Sequence, residues 1–164
     1  MGILIIGHAQ HGKDTVAEMI REKIGLEFKS SSIAAAEIFL FDALKDKYGY
    51  SSHMQCYEDR VNHRIEWFDL IVDYNKEDRA RLAKDILKNS DIYVGMRDVE
   101  ELEECQNQGL FKTIIGVYDP RKPLEHPLSF NIDLWDESDF VIPNSSSLES
   151  LSSKIDKILP LLKP

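Results

Sequence analysis

The nine residues Gly7-His8-Ala9-Gln10-His11-Gly12-Lys13-Asp14-Thr15 restrict this chain more than any other stretch. They follow the apolar run Ile3-Leu4-Ile5-Ile6, and beyond them Val16, Ala17, Ile20 and Ile24 recur at helical spacing. A strand that ends in Gly-x-x-x-x-Gly-Lys and runs straight into a helix builds an anion cradle. The loop N–H groups point inward, the helix N-terminus adds partial positive charge, and Lys13 reaches the β- and γ-phosphates of a nucleotide. Gly7 and Gly12 allow backbone approaches that a Cβ would block. The position after Lys13 holds Asp14, where Ser or Thr is usual, and the hydroxyl is shifted by one to Thr15.

The rest of the chain alternates strand and helix patterns. Strands are expected at 2–6, 26–30, 91–95, 111–118 and in Asp139-Phe140-Val141-Ile142-Pro143-Asn144. Helices are expected at 13–24, 33–47, 59–74, 77–89, 98–108 and 147–159, with 50–58 irregular. The last helix should bury Leu148, Leu151, Ile155 and Ile158. Prolines 120, 123 and 127 deny regular structure to the segment between the last two strands. This order predicts an α/β fold: an about five-stranded, mostly parallel sheet with helices on both faces. Ligands in such sheets sit at the carboxyl ends of the strands, where Gly7, Ser30, Arg97, Tyr118 and Asn144 fall. The 164 residues read as one domain, 1–164, carrying a helical insertion at about 50–89.

Composition removes several classes. No apolar run approaches the ~20 residues that cross a bilayer, so no membrane partner is expected and a cytoplasmic location is. Cys56 and Cys105 lack metal-ligand spacing and read as free thiols. His8, His11 and His53 have no accompanying Cys, which argues against zinc. A net charge of -9 argues against broad, nonspecific duplex binding.

Gly12-Lys13-Asp14-Thr15 resembles the cradle of the P-loop nucleotide kinases, particularly bacteriophage deoxynucleoside monophosphate kinases. The related phage kinases that phosphorylate hydroxymethyluracil in DNA are also similar. The resemblance is specific at 7–15 and weaker at 95–97 and 139–144. The longer lid and the Asp-x-x-Arg of adenylate-type kinases are missing. The resemblance implies a three-layer P-loop kinase fold, ATP as donor and Mg²⁺. It implies that Gly7, Gln10, His11, Gly12, Lys13 and Thr15 touch the donor phosphates. Thr15 and Asp14 are candidates to hold Mg²⁺, Asp14 through water or else as proton acceptor. Arg121 and Asn144, after the last two strands, are further donor-side candidates.

In such kinases the segment between strands two and three carries the acceptor. Here Arg60, His63, Arg64 and Trp67 would share one helical face, if a single helix spans 59–74. The arginines could grip phosphate and Trp67 could stack on a base or sit in the core. Arg97 follows the third strand, where no magnesium-holding aspartate is available; it could neutralise the transferred phosphate or pair with Glu100 or Glu101. Lys13, Asp14 and Arg97 are the expected catalytic set. The expected activity is phosphoryl transfer to a deoxynucleotide, a free deoxynucleoside monophosphate ahead of a hydroxymethylated base in DNA. A P-loop nucleotide-binding protein without transfer is the third reading. The expected partner is thus a small-molecule nucleotide or modified DNA, with a homodimer a further candidate.

Overall fold

The computed structural model describes residues 1–162; the last two residues of the expected domain lie outside them. Five parallel strands form one sheet in the order β2-β3-β1-β4-β5. These are β1 (Gly2–Ile6), β2 (Phe28–Ser30), β3 (Ile92–Val94), β4 (Phe111–Tyr118) and β5 (Phe140–Pro143). Central β1 is set between β3 and β4, with Ile5 opposite Val94 on one side and Ile115 on the other. Its alternation divides two cores. Leu4 and Ile6 join the larger cluster with Leu40, Leu82, Tyr93 and Leu102, whereas Ile3 and Ile5 join Val16, Ile20, Leu151 and Ile155. Both faces are covered, so β1 must be apolar at every position, and each fully buried isoleucine contributes ~1.5–3 kcal/mol.

Helix α1 (Lys13–Ile24) and helix α9 (Leu148–Leu162) cover one face. α1 stops at Gly25, whose φ of 74° provides the left-handed C-terminal turn. The other face is covered by α2 (Ser31–Ala35), a π-helical turn (Ala36–Leu40), α3 (Phe41–Tyr48), α4 (His53–Asp59), α5 (Arg64–Tyr74), α6 (Arg81–Leu87) and α7 (Val99–Asn107). Asp98 caps α7 through the Glu100 N–H. A short α8 (Leu134–Glu137) precedes β5. Residues 119–133 hold no strand or helix, as their prolines dictate.

Several boundaries differ from the sequence expectation for local reasons. The segment expected to be irregular contains α4, which Ser52 caps by accepting from the Gln55 N–H at 3.1 Å. Only Cys56 of α4 is buried, so no apolar periodicity announces it. The single helix expected over 59–74 is broken by a 3-10 turn at Arg60–Asn62 and by His63, whose φ is -132°. The helix expected at 77–89 is confined to Arg81–Leu87, because Asp78 and Asn75 accept the Ala80 and Leu82 N–H groups. α9 continues through Pro160, and Leu148 is exposed instead of joining Leu151, Ile155 and Ile158. Cys56 and Cys105 are free and buried. No helix of the described residues is long and apolar enough to cross a membrane.

Candidate active site

The cradle joins β1 to α1 at the carboxyl edge of the sheet. A Cβ on Gly7 would lie 2.4 Å from the Val117 carbonyl oxygen. A Cβ on Gly12 would lie 2.4 Å from Asn144 Nδ2, and the φ of +99° at Gly12 suits glycine alone. Both glycines are therefore required by contacts to β4 and to the segment after β5. Gln10 adopts φ 64° without being glycine, so the loop carries local strain.

Lys13 is buried, and its Nζ donates to the His8 carbonyl at 2.8 Å. Burial, with Arg97 nearby, pulls its ammonium down to about 8. An ammonium so poorly hydrated gains more than an exposed one when a phosphate arrives. Asp14 is exposed on the first turn of α1 and lines a pocket of about 90 Å³ with Lys13, Ser30, Ser31, Arg60, Arg64 and Arg97. The structure thus gathers the expected catalytic set and two of the expected acceptor residues at one place. Thr15 is exposed and does not line this pocket. A carboxylate beside hydroxyls suits Mg²⁺, which takes one or two carboxylates plus substrate phosphates. Of the two magnesium candidates, Asp14 lines the pocket and Thr15 does not. Among the described residues no group of three or more His, Cys, Asp or Glu forms a metal site.

The acceptor-side residues reach the pocket by a different route from the expected helical stripe. The break at His63 rotates α5 relative to Arg60, so the four residues do not share one face. Arg60 stacks on the Tyr57 ring at 3.7 Å, donates to the Tyr57 carbonyl at 2.7 Å, and is partly desolvated. His63 stacks on Tyr48 at 4.1 Å and bonds Asp59 at 3.0 Å. Trp67 does not face the pocket. It is 4% exposed within the larger core, its Nε1 has no hydrogen-bond partner among the described residues, and its ring is packed against core side chains and not presented to a substrate base. Beyond Arg64 the pocket opens into a cleft of about 860 Å³, walled by Val61, Ile65, Leu124 and His63.

On the donor side three expected contacts have other duties. His11 is fully buried, and its Nδ1 accepts from the Asp119 N–H at 3.0 Å while Nε2 donates to the Pro123 carbonyl at 3.2 Å. Its ring therefore pins the cradle to the proline-rich loop instead of meeting phosphate. The side chain of Asn144 donates to the His11 carbonyl at 3.1 Å and fills the space above Gly12, which makes it a brace for the cradle. Arg121 makes two 2.8 Å bonds to Asp119, which it holds at about 2, and one of 3.0 Å to the Asn144 carbonyl. It does not line the pocket that holds Lys13 and Arg97.

Sequence reasoning missed Glu125. Its side chain is 6% exposed and accepts from the Ala9 N–H at 2.8 Å, from Arg64 at 3.2 Å and from Arg97. Arg97 therefore pairs with neither Glu100 nor Glu101. The only hint in the sequence is a lone carboxylate between Pro123 and Pro127 in a loop otherwise read for its cations. A second buried acid, Glu101, accepts from the Tyr93 hydroxyl at 3.0 Å beneath Arg97. Burial pushes its carboxyl up to about 8.

A parallel sheet in this order with a glycine-lysine cradle after β1 is the fold seen in P-loop kinases. Solved structures share that fold. A shikimate kinase from Bacteroides thetaiotaomicron superposes with a TM-score of 0.55 over 99% of this chain and 98% of its own, at 8% identity. A dephospho-CoA kinase from Campylobacter jejuni gives 0.54 over 99% and 97%, at 15% identity. A shikimate kinase from Acinetobacter baumannii, solved with shikimate, gives 0.53 over 98% and 92%, at 15% identity. No family model matches the chain, and no curated protein matches its sequence.

Proposed function

We propose that the protein is an ATP-dependent phosphotransferase whose acceptor is a deoxynucleotide, a free deoxynucleoside monophosphate in the first place. The observation that carries this reading is the pocket in which Arg60, Arg64 and Arg97 converge on Lys13 and Asp14. Lys13 and the cradle N–H groups hold the donor phosphates, and the arginines hold the acceptor phosphate and offset charge as the phosphoryl group passes. Bound Mg²⁺ would neutralise charge on the donor phosphates. Asp14 would hold the ion through water or take a proton from the acceptor. The apolar walls Val61, Ile65 and Leu124 suit a base and sugar.

A free nucleotide is favoured over DNA because the cleft offers no basic track for further phosphates. Beyond Arg64 its charged wall is Lys47, Glu66 and Asp69, and Lys47 is paired to Glu66 at 2.5 Å. The second reading, a hydroxymethylated base in DNA, draws on Asp14, since an exposed carboxylate beside three arginines suits a hydroxyl acceptor. The similarity of the cradle to those of phage deoxynucleotide kinases supports both.

ADP release should be measured with each deoxynucleoside monophosphate and with hydroxymethylated single- and double-stranded DNA. Turnover is expected with a monophosphate, and Lys13→Ala should lower it by at least ~100-fold with the fold intact. Turnover with modified DNA alone would establish the second reading. ATP-dependent transfer to no member of the panel would remove the deoxynucleotide reading.

A further inference from the structure

The cradle already holds an anion, and that anion is part of the chain. One carboxylate oxygen of Glu125 accepts from the N–H of Ala9, a cradle residue, at 2.8 Å, and the other accepts from Arg64 and Arg97. Lys13 also lies within electrostatic reach. The side chain is nearly closed to solvent, and these partners include two of the cations that the pocket directs at a transferring phosphate. The loop bearing Glu125 is tied to the cradle at two more points. The Glu125 N–H donates to His8 Nδ1 at 3.0 Å, and His11 donates to the Pro123 carbonyl at 3.2 Å. A backbone N–H directed at one carboxylate oxygen cannot also hold a phosphate oxygen at full strength, and two anions at that point repel.

We propose that Glu125 is an internal mimic of the donor's terminal phosphate, a latch that closes the proline-rich loop over the cradle and is expelled when a nucleoside triphosphate binds. This rests on the donor reading above. A diphosphate, which lacks the terminal group, leaves the latch seated. The triphosphate takes the Ala9 N–H, the carboxylate moves out and frees Arg64 and Arg97 for the acceptor and the passing phosphoryl group, and residues 123–129 part from the arginine cluster. That motion widens the entrance to the cleft, of which Pro123, Leu124, Glu125, His126 and Ser129 are one wall. The acceptor site would thus open in response to the donor, by a charge exchange at a single position.

The test is calorimetric titration of the wild-type protein, Glu125→Gln and Glu125→Ala with ADP and with the non-hydrolysable triphosphate analogue AMP-PNP, in magnesium. Removing an internal competitor held by charge-assisted bonds should tighten the triphosphate by roughly 10-fold or more and leave ADP within about 2-fold. Unchanged or weaker triphosphate binding in both folded variants overturns the latch, as does equal tightening of both nucleotides. Hydrogen exchange on the wild-type protein supplies a readout that needs no variant. The Glu125 amide should exchange faster with AMP-PNP than with ADP, and protection by both alike overturns the proposal. A wild-type protein that binds neither nucleotide removes the donor reading itself, an outcome distinct from a failed latch.

Discussion

Glu101→Gln gives the sharpest test of how the pocket floor is built. Glu101 is 2% exposed, and its carboxyl accepts from the Tyr93 hydroxyl. Burial raises its carboxyl from 4.5 to about 8, with the Tyr93 hydroxyl opposing and Asp98 adding to the rise. The folded protein therefore keeps a proton that the unfolded chain loses once the pH passes 4.5. Stability from this group is whole below 4.5, declines as the pH rises, and is lost through pH 8. At about 1.4 kcal/mol per pH unit the interval amounts to roughly 5 kcal/mol, a large part of the ~5–15 kcal/mol that holds a domain folded. Glutamine keeps the oxygen that accepts from Tyr93 and cannot ionise. The variant should match the wild type near pH 4.5 and exceed it by several kcal/mol at pH 8.5. Urea unfolding of both proteins at half-unit pH steps isolates the group, because all other titrations cancel in the difference. Parallel stability curves would show that Glu101 is ionised and solvated at neutral pH, and the account of a neutral acid beneath Arg97 would fall.

The remaining predictions concern the cradle. Gly12→Ala should abolish nucleotide binding, because the new Cβ meets Asn144 Nδ2 and the backbone is held at φ +99°; Gly12→Ala with Asn144→Ala should recover only part of it, and full recovery would mean that the dihedral is unimportant. ATP affinity should fall as the pH rises past 8, since bound phosphate keeps the Lys13 proton that the free enzyme loses around pH 8; calorimetry in buffers of different ionisation heat should register the uptake, and a constant Kd from pH 7 to 9.5 would refute it. Asp14→Asn should lower kcat by ~100-fold or more if its carboxylate serves magnesium or the acceptor proton, with stability changed by no more than ~1 kcal/mol. Equal small losses in rate and stability would leave Asp14 as a helix-dipole residue only.

The cradle was legible because its requirements are local. Gly7, Gly12 and Lys13 stand at fixed spacing in a loop that starts and ends within one turn of its strand and helix, and the unbroken apolar run from Ile3 to Ile6 states that both sheet faces are covered. The helix stops at Gly25 and Gly49, both left-handed, and the cap at Asp98 depend on equally local chemistry. The acceptor side was legible in kind but not in arrangement. Arg60, Arg64 and Arg97 do meet in one pocket, yet the stripe that seemed to join Arg60 to Trp67 assumed an unbroken helix.

What only the tertiary structure decided are the partners drawn from distant segments. Trp67 turns inward because the core, not a base, offers the larger apolar contact. His11 and Asn144 brace the cradle because β4 and β5 end beside it, an adjacency created by strand order. Glu125 reaches Ala9 across 116 residues of chain, in a loop with no periodicity to read. Hydrophobic period and turn chemistry act over a few residues and so are written in the sequence. The pairing of a charge with its partner depends on where the sheet brings two loops together, and that is settled only when the whole core has packed.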